Sequence, residues 1–156
     1  MPHVSISQIL LAYTAATCAF AWWKGGRAER LGALLVCADW LFIWLAQTLL
    51  NSHQMTLRAV AVPALAADFF MCLGFLWLCF RFGDTWLGAA LVVQGAQFAV
   101  YGSYIAGDGA HAYAHVLLAN AASFVLLDIL IVATAIAWWR RTRARRRAEI
   151  PATVSA

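Results

Sequence analysis

Charge is what this chain has least of: 12% of its 156 residues are Asp, Glu, Lys or Arg, against about 25% in a soluble domain. Hydrophobic residues make up 64%, above the roughly 45–50% of a globular chain. At this length surface still dominates over volume, so one water-excluding core cannot hide them all. That excludes an ordinary soluble fold and casts the bilayer as solvent. Paired cysteines are missing too. Cys18, Cys37, Cys72 and Cys79 all lie in apolar runs with no C-x-x-C spacing, which excludes a disulfide scaffold and a zinc ribbon and leaves small packing residues. Lysine is nearly absent, Lys24 standing alone beside arginines and abundant alanine, a composition that suggests a GC-rich bacterial or phage genome.

Catalytic signatures are lacking as well. There is no G-x-S-x-G elbow, no H-E-x-x-H pair and no phosphate-cradling glycine loop. Gly83-Asp84 and Gly107-Asp108 fall short of the G-x-G-D motif of intramembrane aspartyl proteases, because Arg81 and Ile105 stand where its first glycine belongs. No enzyme is expected.

What is present is a series of long apolar runs. A helix needs about twenty apolar residues to cross ~30 Å of hydrocarbon. Polar punctuation cuts the chain into five such stretches, at 4–23, 31–50, 59–80, 85–105 and 113–139. The breaks are Lys24 to Arg27, Asn51 to Gln54, Arg81 to Asp84 and the glycine-flanked Ala106 to Gly109, with Pro63 in the first turns of the third run. The expectation is a single-domain, all-α integral membrane protein, a five-transmembrane-helix bundle (1–139) followed by a basic cytoplasmic tail (140–156).

Charge sets the orientation. Numbering the connections alternately puts Lys24, Arg27, Arg30, Arg81 and six tail arginines on one side and Arg58 alone on the other, ten of the eleven basic residues together. The positive-inside rule makes that side cytoplasmic, with the N-terminus outside. Trp22, Trp23, Trp86, Trp138 and Trp139 fall at the inner ends, as an interfacial aromatic belt requires. A cleaved signal peptide is the rival for the first run, since Ala19-Phe20-Ala21 has a small-x-small form. However, residues 1–5 carry no Lys or Arg and the positive charge follows the apolar run, the reverse of a secretory signal. A lipoprotein box at Cys18 fails at Thr17. The tail arginines, Arg140, Arg141, Arg143, Arg145, Arg146 and Arg147, read as a topological anchor for the anionic inner leaflet, not as a nucleic-acid site. The location expected is the bacterial inner membrane.

Inside the runs the informative residues are Asp39, Asp68 and Asp128. At 1.5 Å per residue they lie ~12, ~18 and ~16 Å from the inner ends of their helices, and Gln94 and Gln97 lie at ~14 and ~18 Å. Each aspartate rides a small-residue stripe: Asp39 with Gly32 and Ala46, Asp68 with Ala61, Ala64, Cys72 and Cys79, Asp128 with Ala114, Ala121 and Ala135. Such stripes let helices approach closely, so the acids are expected to meet inside the bundle or at an oligomeric interface. On the fourth run Gly88, Gly95, Ala99, Gly102 and Ala106 form one side, read as tight packing. Gln94, Gln97, Tyr101 and Tyr104 form the other, read as a polar path. No Lys, Arg or His shares that depth. Desolvation and like-charge repulsion both favour the neutral acid, which leaves protonated acids, a held cation, or a water-lined layer. Intramembrane acids commonly mark ion pathways and proton relays. The bland reading of the same residues is assembly by interhelical hydrogen bonds.

All four histidines, His3, His53, His111 and His115, belong to the outer side. His111 and His115 stand four apart, and with His53 they make an outer-face metal site or a His53/His115 haem conceivable; short interfacial loops explain them as well, and no cofactor is expected. The function expected is conduction of, or gating by, protons or small cations, through Asp39, Asp68, Asp128, Gln94, Gln97, Tyr101 and Tyr104. A holin-like pore-forming lysis protein and an accessory subunit of a larger membrane complex are the alternatives. The partners expected are the bilayer and further copies of the chain or other subunits.

Overall fold

Helix ends in this chain are written into its short polar breaks. In a computed structural model of the protein, which describes residues 6–50, 57–107 and 112–149, five helices follow one another: α1 (Ile6–Lys24), α2 (Arg27–Leu50), α3 (Leu57–Phe82), α4 (Thr85–Ala106) and α5 (Ala112–Glu149). No strand occurs among the described residues.

Two breaks are tight turns with a clear chemical basis. Gly25 and Gly26 separate α1 from α2, and the Glu29 carboxylate reaches back to accept from the Gly26 backbone N–H at 2.6 Å, half of a capping box. That bond starts α2 at Arg27, four residues before the apolar run at Leu31. Gly83, at φ 69°, is a left-handed residue whose N–H donates to the Cys79 carbonyl at 2.9 Å, the glycine cap that ends α3. Pro63 is accommodated inside α3.

Helix α5 departs from expectation. It does not stop at Trp139 but continues to Glu149, because Ala and Arg are strong helix formers and nothing breaks the run. The six tail arginines therefore ride on the helix that carries the last apolar run. Residues 150–156 lie outside the described part.

Packing follows chain order. Each helix touches the next, α5 returns to α1 to close a ring, and α2 also touches α5 across it. The two-residue turns make α1 and α2, and α3 and α4, antiparallel. At one end of the ring Trp86 of α4 reaches over Gly32 of α2, beside Leu130 of α5. The interior is built from small residues, Ala21, Ala33 and Ala90 among them, around Phe75, Leu78, Leu87 and Leu127. Among the described residues, two helices are long and apolar enough to cross a membrane, over Val62–Phe82 and Ala114–Arg147.

Candidate functional site

Helix α4 has one inward face, and it is polar for much of its length. Its buried residues are Leu87, Ala90, Gln94, Gln97 and Tyr104, spaced as one face of a helix. Opposite them stands Asp68 of α3. The Gln94 side chain donates through Nε2 to Asp68 Oδ1 at 2.5 Å, and both residues are 1% exposed. The other carboxylate oxygen, Asp68 Oδ2, is buried with no hydrogen-bond partner among the described residues, and so is Gln97 Oε1.

Two further groups border this pair. Asp39 of α2 is half-buried, its Oδ1 unpartnered, and it lies within electrostatic reach of Asp68. Tyr101, half-buried on the same side of α4, lies within electrostatic reach of both acids. Among the described residues no Lys, Arg or His forms an ion pair with either carboxylate. A buried carboxyl whose one oxygen is held by an amide and whose other is free can carry a proton, face water or ligate a cation; each of these removes the cost of a bare buried charge.

The polar face extends in the direction of the α4–α5 connection. Tyr104 packs edge-on against His115 of α5, ring centroids 5.3 Å apart, and His115 Nδ1 is buried without a partner. Toward the basic end the unpartnered buried groups are the Thr17 and Thr134 hydroxyls and the Trp86 indole N–H. Four helices thus contribute Asp39, Asp68, Gln94, Gln97, Tyr101, Tyr104 and His115 to a polar series, joined by direct contacts at Asp68–Gln94 and at Tyr104–His115.

Asp128 is not part of it. Its side chain is exposed and accepts a hydrogen bond from the Tyr13 hydroxyl of α1, so the expected meeting of three acids reduces to two. The reason is rotational. The heptad of Ala114, Ala121 and Asp128 is exposed, while α5 turns Ala119, Leu126, Leu127, Leu130 and Ala133 inward. The glycine side of α4 is corrected in the same way: a Cβ at Gly88, Gly95 or Gly102 would meet nothing within 4 Å, so this side is open and not a packing surface within the chain. The stripes through Asp39 and Asp68 do face inward, with Gly32, Ala64 and Asp68 buried.

Sequence reasoning passed over Tyr13 and gave His115 to a metal site. A signal for Tyr13 was available, since it and Asp128 are each eleven residues from the basic ends of their runs, at Lys24 and Trp139, and so at equal depth, ~16 Å. His53 and His111 lie outside the described residues. Among those that are described, no group of three or more His, Cys, Asp or Glu residues is placed to hold a metal ion.

The chain matches no protein family, no curated protein and no solved structure. Its class rests on its own geometry, an all-helical ring with two helices of membrane-crossing length and apolarity.

Proposed function

We propose that the chain is a five-span membrane protein, its arginine-rich end cytoplasmic, that conducts or is gated by protons or small cations through the Asp68–Gln94 series. Three features support the membrane part of the reading. Two helices have the length and apolarity to cross. Every helix turns large apolar side chains outward, among them Leu11, Leu41, Phe70, Val92 and Leu117, whereas a water-soluble monomer keeps exposed apolar side chains scattered or in small patches. The cations at the basic end lie over tryptophan rings, Lys24 on Trp23 at 4.5 Å and Arg143 on Trp139 at 3.6 Å, as at a headgroup interface.

One observation carries the functional part: Asp68 is 1% exposed, one of its oxygens is fixed by Gln94 and the other is unpartnered. An acid used only for assembly would be expected to satisfy both oxygens, because an unsatisfied buried polar atom costs about 1–3 kcal/mol. The test is flux into vesicles loaded with a pH-sensitive dye, driven by a potassium gradient and valinomycin. Wild-type protein should acidify or alkalinise the lumen with the sign of the potential. Asp68→Asn, which keeps the shape but cannot titrate, should lower that rate roughly tenfold or more, and Asp128→Asn should leave it largely intact. Wild-type vesicles indistinguishable from empty ones, for protons and for sodium or potassium, would end the proposal.

A further inference from the structure

The polar series uses none of the arginines at the basic end of the bundle, yet three of them converge there. An open groove of about 400 Å³ lies where the last turns of α1 and α3 flank the first turns of α2. Arg27 and Arg30, three apart on α2, and Arg81, in the last turn of α3, line it together with Trp22, Trp77 and Leu34.

Its charge is one-sided. All three arginines are exposed, and none forms an ion pair with a carboxylate among the described residues. The acid beside them, Glu29, is buried and accepts from the Gly26 N–H; Asp84, before α4, is not part of the lining. Arg30 rests over the Trp22 ring at 5.9 Å, and the positive end of the α2 dipole points to the same place.

The walls have the opposite character. Trp22 and Trp77 are 55% and 58% exposed, and Leu34, on the next turn of α2, is 48% exposed. A free anion would use the guanidiniums and leave this apolar lining wet. A phosphodiester that carries acyl chains uses both, since guanidinium forks match phosphate oxygens and a stem of tryptophan and leucine receives the chain. Basic pockets between helices on the cytoplasmic side are where anionic headgroups bind.

We propose that this groove is a binding site for an anionic phospholipid, its phosphate held by Arg27, Arg30 and Arg81 and one acyl chain laid along Trp77 and Leu34. The site depends on the membrane reading above but not on the Asp68 series.

The experiment is native mass spectrometry of the full chain in detergent, titrated in separate arms with phosphatidylglycerol, with phosphatidylcholine of the same acyl chains, and with inorganic phosphate. Wild type should retain one phosphatidylglycerol at concentrations where phosphatidylcholine stays at background. Arg30→Gln with Arg81→Gln should weaken retention about tenfold, while Arg145→Gln with Arg146→Gln on α5 should weaken it less than about twofold. Should the first double variant lose its helical circular dichroism, Arg81→Gln alone, at an exposed helix end, should still weaken retention roughly threefold. Equal retention of the two lipids, equal loss in the two double variants, no loss in Arg81→Gln, or displacement by millimolar phosphate would each overturn the site. Recovery of the chain in the soluble fraction after an alkaline wash would overturn the membrane reading instead, and a pelleted chain that holds both lipids alike would overturn the groove alone.

Discussion

A single methyl group separates the two kinds of glycine in this protein. At Gly32 an added Cβ would lie 2.8 Å from Cη2 of Trp86, with Leu130 at 3.7 Å, so the indole that spans the end of the ring would have to move. At Gly88 the same methyl would meet nothing within 4 Å. Gly32→Ala should therefore lower stability by up to about 2 kcal/mol, the roughly 1–3 kcal/mol cost of overpacking less the helix-propensity gain of about 1 kcal/mol. Gly88→Ala should be neutral or gain up to about 1 kcal/mol from helix propensity. Thermal unfolding of the two variants in detergent, followed by tryptophan fluorescence, checks the contrast; equal midpoints would mean that Trp86 does not sit on Gly32. Sequence could not make this distinction, because both glycines belong to stripes of small residues and a stripe gives spacing without saying which way it turns.

Among the elements, the contact least legible in the sequence ties α5 to the α1–α2 turn. Arg141 looks like one more basic residue after a span. Its guanidinium instead donates to the Lys24 carbonyl at 2.7 Å and the Gly25 carbonyl at 3.2 Å, while its Nε donates to its own helix at Ala137. These are carbonyls at the end of α1, which lack helical partners. Arg141→Gln should loosen the turn by about 1 kcal/mol, a modest figure because the residue is exposed. Amide exchange across 21–30 should rise severalfold, with no such change for Arg145→Gln. Exchange that is the same in both variants would reduce Arg141 to a topological charge. The helices themselves were legible: the polar breaks at Lys24–Arg27 and Arg81–Asp84 give their ends to within a few residues. On α4 the spacing separates a polar side, with Gln94, Gln97 and Tyr104, from a glycine side, but it assigns the packing to the glycines, and the polar side is the one that turns inward. The rotation of α5 was not legible, since apolar residues surround that helix on every side and its alanines mark no direction. The sequence therefore leaves Asp128 to the bundle or an oligomeric interface, and within one chain its partner is Tyr13 at the α1–α5 seam.

For the whole molecule, the ring places the ends that carry Lys24, Arg27, Arg30, Arg81 and Arg141 together, and on the proposed topology this end faces the cytoplasm. Orientation should then follow the count of cations on the two sides. Replacing all six tail arginines by Gln leaves Lys24, Arg27, Arg30 and Arg81 against Arg58, four against one, so the orientation should hold. Adding four lysines within 51–56 to that variant makes the count four against five and should erode it. A C-terminal fusion to green fluorescent protein, which fluoresces when left in the cytoplasm and not after export unfolded, reads the outcome. Bright cells for the six-Gln variant and dim cells once the lysines are added are expected. Dim cells for the six-Gln variant would assign the orienting charge to α5 alone. Unchanged brightness after the added lysines would mean that the 51–56 connection does not lie on the opposite side, and an arrangement of five alternating spans would then be untenable.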